Sequence, residues 1–357
     1  MAAYESTTVN GVLSIRRAGS LPTRRLLYFN SYGMAKAWRL WEQGLYPGNH
    51  LWGCIELLDW GYEVIMVEPP RRHNLRDRVG YDWPAANLAV ERLGPDDIVY
   101  CSHNVLLWTP ILKAAKRVRA KLVGQIYARE PLPLSSHYSG VVAHTPVALD
   151  HLHRLCPPSC LCQHISWGVD LPFFTVQPYN PQYFLVTGKS FRDFEVLRRA
   201  FSNLPARLVI VGNGAGKSTA VSTNTSLVSD REMGASVYRQ LVDTYYAQSG
   251  AVLVTLLPDE RQRRAVGVTN VLEAMALARP VIVTRTGGLM SEIDVENEGV
   301  GIYVEPRDPF GLRDAVLRLY RAPELAEDMG RRGRQLCEQH FNMNRFGKEL
   351  HAFLEAL

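Results

Sequence analysis

One short helix start carries residue types that could bind a charged nucleotide. Residues 267–288 read as a glycine loop, a helix of about ten residues, a short buried strand and a second glycine turn. Asn270 is placed to cap this helix, and Glu273 lies in its first turn. Backbone N–H groups at a helix start bind phosphate, and a nearby carboxylate can accept hydrogen bonds from sugar hydroxyls. A simple capping box explains the same two residues, so local chemistry leaves both interpretations open.

A second set of candidate ligands follows a predicted strand at residues 183–187. Gly188 ends the strand, and Lys189 and Arg192 follow at the start of a helix that Ser190 would cap. A glycine lets the backbone approach a diphosphate, and the two cations would neutralise it. The alternative is that both cations are solvated surface residues, as most lysines and arginines are.

The stretch Gly212-Asn-Gly-Ala-Gly-Lys-Ser-Thr219 resembles a P-loop, but its spacing is wrong. A P-loop has four residues between its first glycine and the Gly-Lys pair. Here that first glycine would be residue 211, which is Val211. We therefore exclude a P-loop ATPase and retain Gly212 as a turn at a strand end.

The first half of the chain offers weaker candidates for sugar or phosphate contacts. Gly48, Asn49 and His50 form a loop ahead of a helix, where N–H groups could meet a phosphate or an acceptor. His103 follows a predicted strand, the position at which α/β sheets bind ligands, and is a candidate catalytic or sugar-contacting group. A plain turn and a structural histidine are the simpler explanations.

Cys156, Cys160, Cys162 and His164 lie close together in sequence. Zinc ligands usually come as two separated pairs, and no second pair accompanies this cluster. We therefore expect ordinary buried or loop thiols, with a metal site as the less favoured alternative.

A group of cations crowds the end of one predicted helix, namely Lys113, Lys116, Arg117, Arg119 and Lys121. Cations at a helix C-terminus are stabilised by the helix dipole, so a solvated helix end explains them. Apolar neighbours such as Trp108 and Leu112 allow an alternative, a peripheral contact with a membrane surface.

Short apolar runs alternate with helical patterns along the chain, which predicts parallel sheets with crossover helices. Strands are predicted at residues 25–29, 63–67, 97–101, 121–126, 140–143, 162–166, 183–187, 207–211, 251–257, 280–284 and 301–304. Helices are predicted at residues 51–60, 106–120, 146–155, 191–202, 235–247, 270–278, 309–321 and 323–341. Segment 213–230, rich in Ser, Thr, Asn and Gly, is predicted to be a loop.

The domain boundary is predicted from a stretch with three prolines in twelve residues, 170–181. We expect an N-terminal Rossmann-like domain over 1–172, a linker over 173–182 and a second Rossmann-like domain over 183–341. A last helix over 342–357 should return to the first domain.

Composition restricts the class of protein. The chain has 357 residues, 46% hydrophobic and 21% charged, which fits a globular protein of two domains. The net charge of +5 is too small to indicate nucleic-acid binding and fits an anionic small ligand. No apolar run is long enough for a membrane span, and the first residues lack a signal-peptide pattern. We expect a cytoplasmic protein with reduced cysteines.

Several stretches resemble the family 4 glycosyltransferases. Residues 267–288 resemble their donor-nucleotide motif, Glu-x7-Glu-Ala-Met-Ala-x-Gly-x-Pro-Val-Ile. Ser166-Trp-Gly-Val-Asp170 is similar to the run that ends the first domain of these enzymes, and residues 304–334 resemble their closing helices. The resemblance implies an α/β GT-B fold, in which two doubly wound domains face a cleft.

The resemblance also implies a function, the retaining transfer of a sugar, expected to be a hexose, from a nucleotide diphosphate donor such as a UDP or GDP sugar. Arg192 and Lys189 would hold the diphosphate, and Glu273 would bind the ribose. The implied donor-binding set is Gly188, Gly212, Gly267, Thr269, Asn270, Val271, Leu272 and Glu273. No Asp-x-Asp triplet is present, so neither a metal nor a cofactor is expected. The acceptor is open among glycans, lipid-linked molecules and small molecules.

Two positions depart from the family pattern. The first glutamate of the motif would be residue 265, which is Ala265, and Glu260 or main-chain amides near Gly267 are candidate substitutes. The usual histidine after strand 121–126 is absent, which makes Arg129 and Glu130 candidates. Two alternatives therefore stay open, a nucleotide-sugar-binding protein without turnover and a GT-B sugar-nucleotide epimerase.

Overall fold

The structure is a computed structural model that describes residues 4–9, 12–30, 33–67, 93–102, 108–127, 132–188, 191–212, 224–230, 233–258 and 266–357. Backbone contacts divide the chain into two compact units. Unit 1 comprises residues 1–42, 48–166 and 344–357, and unit 2 comprises residues 43–47 and 167–343. The boundary between the two units thus follows residue 166, ahead of the proline-rich stretch from which the domain boundary was predicted.

The described strands, in chain order, are β1 (Tyr4–Val9), β2 (Val12–Arg17), β3 (Arg24–Phe29), β4 (Tyr62–Val67), β5 (Ile98–Ser102), β6 (Lys121–Ile126), β7 (Gly140–Ala143), β8 (Leu161–His164), β9 (Tyr183–Thr187), β10 (Leu208–Val211), β11 (Thr225–Val228), β12 (Ser249–Val254), β13 (Val281–Thr284) and β14 (Gly301–Val304). The described α-helices are α1 (Met34–Glu42), α2 (Cys54–Asp59), α3 (Trp108–Ala114), α4 (Pro146–Leu155), α5 (Phe194–Ala200), α6 (Val237–Gln240), α7 (Val268–Ala276), α8 (Gly287–Met290), α9 (Pro309–Arg321), α10 (Pro323–His340) and α11 (Met343–Glu355). A π-helical stretch, Leu241–Tyr246, continues α6. Among these helices, none has the length and apolarity that crossing a membrane requires.

Unit 1 is built on an eight-stranded sheet in the order β1-β2-β4-β3-β5-β6-β7-β8. From β4 to β8 in this order, each pair of neighbouring strands is parallel. Strands β1 and β2 form a hairpin at one edge of the sheet, in which β2 pairs antiparallel with both β1 and β4. The hairpin was not predicted, because five of the six residues of β1 are exposed and give no apolar signal. Helix α11 belongs to this unit from Asn344 onward.

Unit 2 is built on a fully parallel six-stranded sheet in the order β11-β10-β9-β12-β13-β14. The chain runs outward from β9 through β10 to β11, then returns to β12 on the other side of β9 and continues outward to β14. The sheet therefore has a switch in strand order between β9 and β12. In open α/β sheets, ligands bind at the carboxyl ends of the strands beside such a switch.

One prediction for unit 2 was wrong in part. Segment 213–230 was predicted to be a loop, but Thr225–Val228 forms the edge strand β11, parallel to β10. An edge strand is paired on one side only, and the two central residues of β11 are exposed, so the apolar pattern that marks a buried strand is weak. Residues 213–223 lie outside the described part of the chain.

Helix α10 packs closely against α7 and the turn that follows it, at two glycines. A Cβ atom at Gly330 would overlap the backbone carbonyl oxygen of Ala278, whereas one at Gly333 would meet the flexible side chain of Met275 at 3.0 Å. Close approach of the two helices therefore depends on Gly330 more than on Gly333.

We predict that Gly330→Ala destabilises the protein by about 1–3 kcal/mol, because the added methyl group forces two backbones apart. The free energy of unfolding in urea measures this change. Gly333→Ala is the matched control in the same helix, where the better helix propensity of alanine offsets the milder contact. Equal stability of the Gly330→Ala variant and the unchanged protein would contradict the packing described here.

Candidate functional site

The helix that follows β12 in the chain begins directly above the end of that strand. Gly267 precedes the first residue of α7 with a φ angle of 100°, in the left-handed region, and is the N-cap of the helix. A Cβ atom at this position would lie 2.7 Å from the side chain of Val254, the last residue of β12. Only glycine satisfies both conditions, so Gly267 fixes where α7 starts.

The predicted capping role of Asn270 is wrong, because the helix begins two residues earlier than expected, at Val268. As a result, the amide N–H of Val271 already donates a hydrogen bond to the carbonyl of Gly267 over 3.0 Å. Leu272 lies one residue further into the helix. The side chains of Val271 and Leu272 are buried in the core. The amides that lack an intrahelical acceptor at such a start are those of the first three residues, which include Thr269 and Asn270.

The side chain of Asn270 connects two elements at the switch point. Its Oδ1 accepts a hydrogen bond from Arg192 Nη2 at 2.5 Å, and its Nδ2 donates to Thr187 Oγ1 at 3.0 Å. Thr187 is the last residue of β9, and Arg192 lies just before α5. The start of α7 is thereby tied to the carboxyl end of β9.

The connection continues from Thr187 to Glu273 through a buried tyrosine. Thr187 Oγ1 lies 3.0 Å from the hydroxyl of Tyr246, which donates to Glu273 Oε2 over 3.3 Å. Because the single proton of Tyr246 is directed at the carboxylate, Thr187 must donate to Tyr246. One directed chain of hydrogen bonds thus connects five residues. It is named here the donor network and consists of Arg192, Asn270, Thr187, Tyr246 and Glu273.

Electrostatics keep the tyrosine of the donor network in its neutral form. Burial and then the charge of Glu273 raise the pKa of Tyr246 above its usual range. The phenol therefore remains a hydrogen-bond donor at any physiological pH. Neither Thr187 nor Tyr246 was identified from the sequence, since a hydroxyl at a strand end or in a helix has no distinctive spacing.

Arg192 is a buried cation rather than a surface residue. Its side chain is 6% exposed, and its Nε donates to the carbonyl of Thr187 over 3.1 Å. Burial lowers the pKa of Arg192 to about 10, which leaves the guanidinium charged at neutral pH. The cap of α5 is Asp193, whose carboxylate accepts from the amide of Val196, in place of the predicted Ser190. Ser190 and Lys189 lie outside the described residues.

The two glycines predicted at strand ends lie side by side. Gly188 follows β9 with a φ of 89°, and a Cβ atom there would come within 2.5 Å of Arg192 Nη2 and 3.1 Å of Asn270 Oδ1. Gly212 follows the neighbouring strand β10, whose last residue pairs with Thr187. The backbone of Gly188 thus lies directly against the guanidinium and the helix start.

Tyr46 is a third residue of unit 2 that sequence reasoning missed. It lies in segment 43–47, and its ring contacts that of Tyr238 edge-on, with centroids 4.8 Å apart. Burial and then the charge of Glu273 raise the pKa of Tyr46, which places its phenol within the electrostatic reach of the donor network. Its position at the end of a glycine-containing loop gave no signal of this proximity.

The weaker candidates of the first half belong to unit 1. Gly48, Asn49 and His50 form a 3-10 turn, Gly48–Leu51, in which Gly48 and Asn49 are buried. His103, Arg129, Glu130, Glu260 and Ala265 lie outside the described residues, so their roles stay predictions.

The cation-rich helix end is partly integrated into the core of unit 1. Leu112 is buried in that core, and Lys113 Nζ donates to the carbonyl of Ala120 at 2.6 Å. Two residues named for a membrane contact are thus engaged within the unit, and that contact stays a prediction.

The structure brings three of the four clustered zinc-type ligands together. The sulfur atoms of Cys156, Cys160 and Cys162 all lie within 4.8 Å of one another, whereas His164 is not part of this set. Both the expected buried or loop thiols and the alternative, a metal site, are compatible with this arrangement.

Sequence comparison finds a family match within unit 2. Residues 189–322 match the family described as Glycosyl transferases group 1. The human alpha-1,3/1,6-mannosyltransferase ALG2 is 33% identical over 86 residues, which cover 24% of this chain and 20% of that protein. The aligned segment thus spans about a fifth of the length of that mannosyltransferase.

Solved structures share the fold over nearly the whole chain. Sucrose-phosphate synthase from Thermosynechococcus elongatus has a TM-score of 0.69 at 15% identity, over 93% of this chain and 98% of that chain. HepE from Anabaena in complex with UDP-glucose has a TM-score of 0.64 at 14% identity, over 94% of this chain and 100% of that chain. A glycosyltransferase from Rickettsia africae has a TM-score of 0.63 at 16% identity, over 94% and 99% of the two chains.

These findings confirm the predicted fold class and support the predicted resemblance over residues 189–322. The solved neighbours and the match over residues 189–322 agree with the two units, whose sheets are parallel except for the hairpin of unit 1. The chain therefore has the GT-B fold, and its residues 189–322 match the family described as Glycosyl transferases group 1.

Proposed function

We propose that the protein is a retaining glycosyltransferase that takes a sugar from a nucleotide diphosphate donor and needs no divalent cation. The observation that carries the proposal is the donor network at the carboxyl ends of β9 and β12. It joins a buried cation, a helix start and a carboxylate in one arrangement, within the segment that matches the family.

In this proposal the diphosphate lies against Gly188, Arg192 and the first turn of α7. When the bond to the sugar breaks, negative charge grows on the departing diphosphate, and fixed cations and amides at that point lower the barrier. Arg192 is charged at neutral pH and is held by Asn270 and Thr187, so it needs no reorganisation during the reaction. These groups do the work that a metal ion does in other transferases.

Glu273 would accept hydrogen bonds from the ribose hydroxyls. Its side chain is 6% exposed, and the bond from Tyr246 holds one oxygen of the carboxylate in place. A carboxylate whose rotamer is fixed beforehand loses little entropy when a ligand binds, which favours affinity. The acceptor then attacks on the face from which the diphosphate leaves, so the anomeric configuration is retained without an enzyme nucleophile.

The comparisons suggest which donors to try first. HepE was solved with UDP-glucose, and ALG2 is a mannosyltransferase, so UDP-glucose and GDP-mannose are the first donors, and we propose that the sugar is a hexose. The acceptor is proposed to be a glycan, a lipid-linked molecule or a small molecule.

A second candidate function is nucleotide-sugar binding without turnover. Ala265 occupies the position of the first motif glutamate, and a methyl group cannot accept hydrogen bonds from sugar hydroxyls. Such a protein would keep the nucleotide site of the donor network and lack transfer.

Activity separates the two candidates. The protein is incubated with each donor and a panel of acceptors, and release of nucleoside diphosphate is measured with and without EDTA. We expect release that depends on an acceptor and is unchanged by EDTA, with the product anomer equal to that of the donor by NMR. Tight donor binding with no release for any acceptor would support the second candidate instead.

We predict that Arg192→Lys raises the Kd for the preferred nucleoside diphosphate about 10- to 100-fold, since charge-assisted hydrogen bonds contribute about 1.5–3 kcal/mol each. Lysine keeps the charge but lacks the planar fork that fits both Asn270 and a phosphate. Calorimetric titration with UDP and GDP gives the Kd values.

Arg198→Lys is the matched control, because Arg198 pairs with Glu195 on the exposed side of the adjacent helix α5. The melting temperature of each ligand-free variant shows whether the fold is intact. Unchanged affinity in a folded Arg192→Lys variant would show that the diphosphate does not bind at this site.

We predict that Glu273→Gln abolishes the preference of the protein for a ribonucleotide over its 2′,3′-dideoxy counterpart. The unchanged protein should bind the ribonucleotide at least about tenfold more tightly, since one hydrogen bond to a charged group contributes about 1.5–3 kcal/mol. Competition binding with matched UDP analogues measures the ratio. If the ratio survives the substitution, another residue binds the ribose.

A further inference from the structure

Three cysteine thiols of unit 1 meet at the connection between α4 and β8. Cys156 is the C-cap of α4, Cys160 lies in the connecting turn and Cys162 lies in β8. Their sulfur atoms all lie within 4.8 Å of one another. Unit 2 and the donor network do not contain these residues, so the proposed transferase function makes no use of them.

Backbone hydrogen bonds hold the three cysteines in these positions. The amide of Cys156 donates to Leu152 at 2.8 Å, which ends the helix, and the amide of Cys160 donates to Pro157 at 2.9 Å, which closes the turn. Cys162 is fixed by its pairing with Val141 of β7. The thiols are therefore brought together by the local fold before any ligand arrives.

The exposure of the three thiols suits an ion that enters from solvent. Cys160 is 6% exposed and packs in the core of unit 1, while Cys156 and Cys162 are only partly buried. A cation bound among them would have a shielded side toward Cys160 and an open side toward water.

We propose that Cys156, Cys160 and Cys162 bind a thiophilic divalent cation, Zn²⁺, with His153 as the fourth ligand. In a tetrahedral site with Zn–S bonds of about 2.3 Å, neighbouring sulfur atoms are about 3.8 Å apart. The three thiols lie within 4.8 Å of one another, so movements of about an ångström complete the geometry.

His153 is placed to complete the ligand set. It lies in the last turn of α4, three residues before the C-cap Cys156, and side chains at this spacing lie toward the same face of a helix. His153 is exposed and is not among the ligand atoms that lie within 4.8 Å of one another, so its side chain would turn toward the sulfur atoms when the ion binds. An imidazole with three thiolates is a common structural zinc set.

A disulfide accounts for the three thiols less well than a metal does. A disulfide joins two sulfur atoms at about 2.05 Å and leaves the third thiol without a role. One cation uses all three and links the end of α4 to β8, the strand at the edge of the eight-stranded sheet. Binding would release the thiol protons to solvent and stabilise unit 1 by mass action.

The test measures metal content and coordination in the full chain. The reduced protein is stripped with a chelator, incubated with Zn²⁺, freed of excess ion by gel filtration and analysed by mass spectrometry of the metal. We expect about one Zn²⁺ per chain, and Co²⁺ in its place should give the sulfur-to-cobalt charge-transfer absorption and red visible bands of tetrahedral thiolate sites.

Variants locate the ion. Cys156→Ser and Cys162→Ser should each lose the bound metal and the cobalt spectrum, and His153→Ala should weaken zinc binding at least about tenfold. Cys54→Ala, which removes a buried thiol elsewhere in unit 1, should leave both signals unchanged. Because the cobalt spectrum is read on the unsubstituted protein, the test holds even if a variant fails to fold.

Three results would overturn the proposal: no retained zinc or cobalt thiolate spectrum in the reduced unsubstituted protein, an undiminished spectrum in the folded cysteine variants, or unchanged zinc affinity after His153→Ala. Activity toward nucleotide sugars does not enter the readout. Failure of the proposed transferase function is therefore distinguishable from failure of this site.

Discussion

The geometry of the candidate donor site depends on the side-chain amide of Asn270. Its oxygen accepts from Arg192 and its nitrogen donates to Thr187, so one rigid plane links the end of β9 to the start of α7. An aspartate at this position could not donate to Thr187, and a serine could not reach both partners. The amide therefore places the guanidinium beside the backbone of Gly188, where a ligand at the switch in strand order would lie.

Burial makes this arrangement rigid and raises the free energy needed to disturb it. In a low-dielectric interior, hydrogen bonds between fully satisfied polar groups strengthen, and an unsatisfied group is correspondingly unfavourable. Arg192 and Glu273 are each 6% exposed, and three neutral side chains lie between them. The cation and the carboxylate are thus held at separate points by dipoles instead of pairing directly. Direct pairing would neutralise both, whereas separation leaves each able to interact with a ligand.

The sequence revealed elements and residues whose signals are local. Strands β6, β7, β9 and β14 lie at the predicted residues, because strands buried in a parallel sheet are continuous apolar runs. Gly188, Arg192 and Glu273 were identified because charged residues and glycine beside such runs are distinctive. Thr187 and Tyr246 were not, since their roles come only from contacts between distant segments. The closeness of the three clustered sulfur atoms was likewise not visible in the sequence, because ligand spacing does not show how a turn folds.

The identity of the residue at position 265 would affect sugar transfer less directly than the residues of the donor network would. Charge develops on the departing diphosphate in the proposed reaction, so groups at the phosphate stabilise the transition state more than the ground state. Arg192 and the start of α7 belong to that class, whereas a carboxylate at position 265 would orient the sugar in the ground state as well. Binding energy spent equally on both states does not raise kcat. The residues proposed to hold the phosphate would therefore affect the chemical step most, which favours the proposed transferase over the second candidate, a binding protein without turnover.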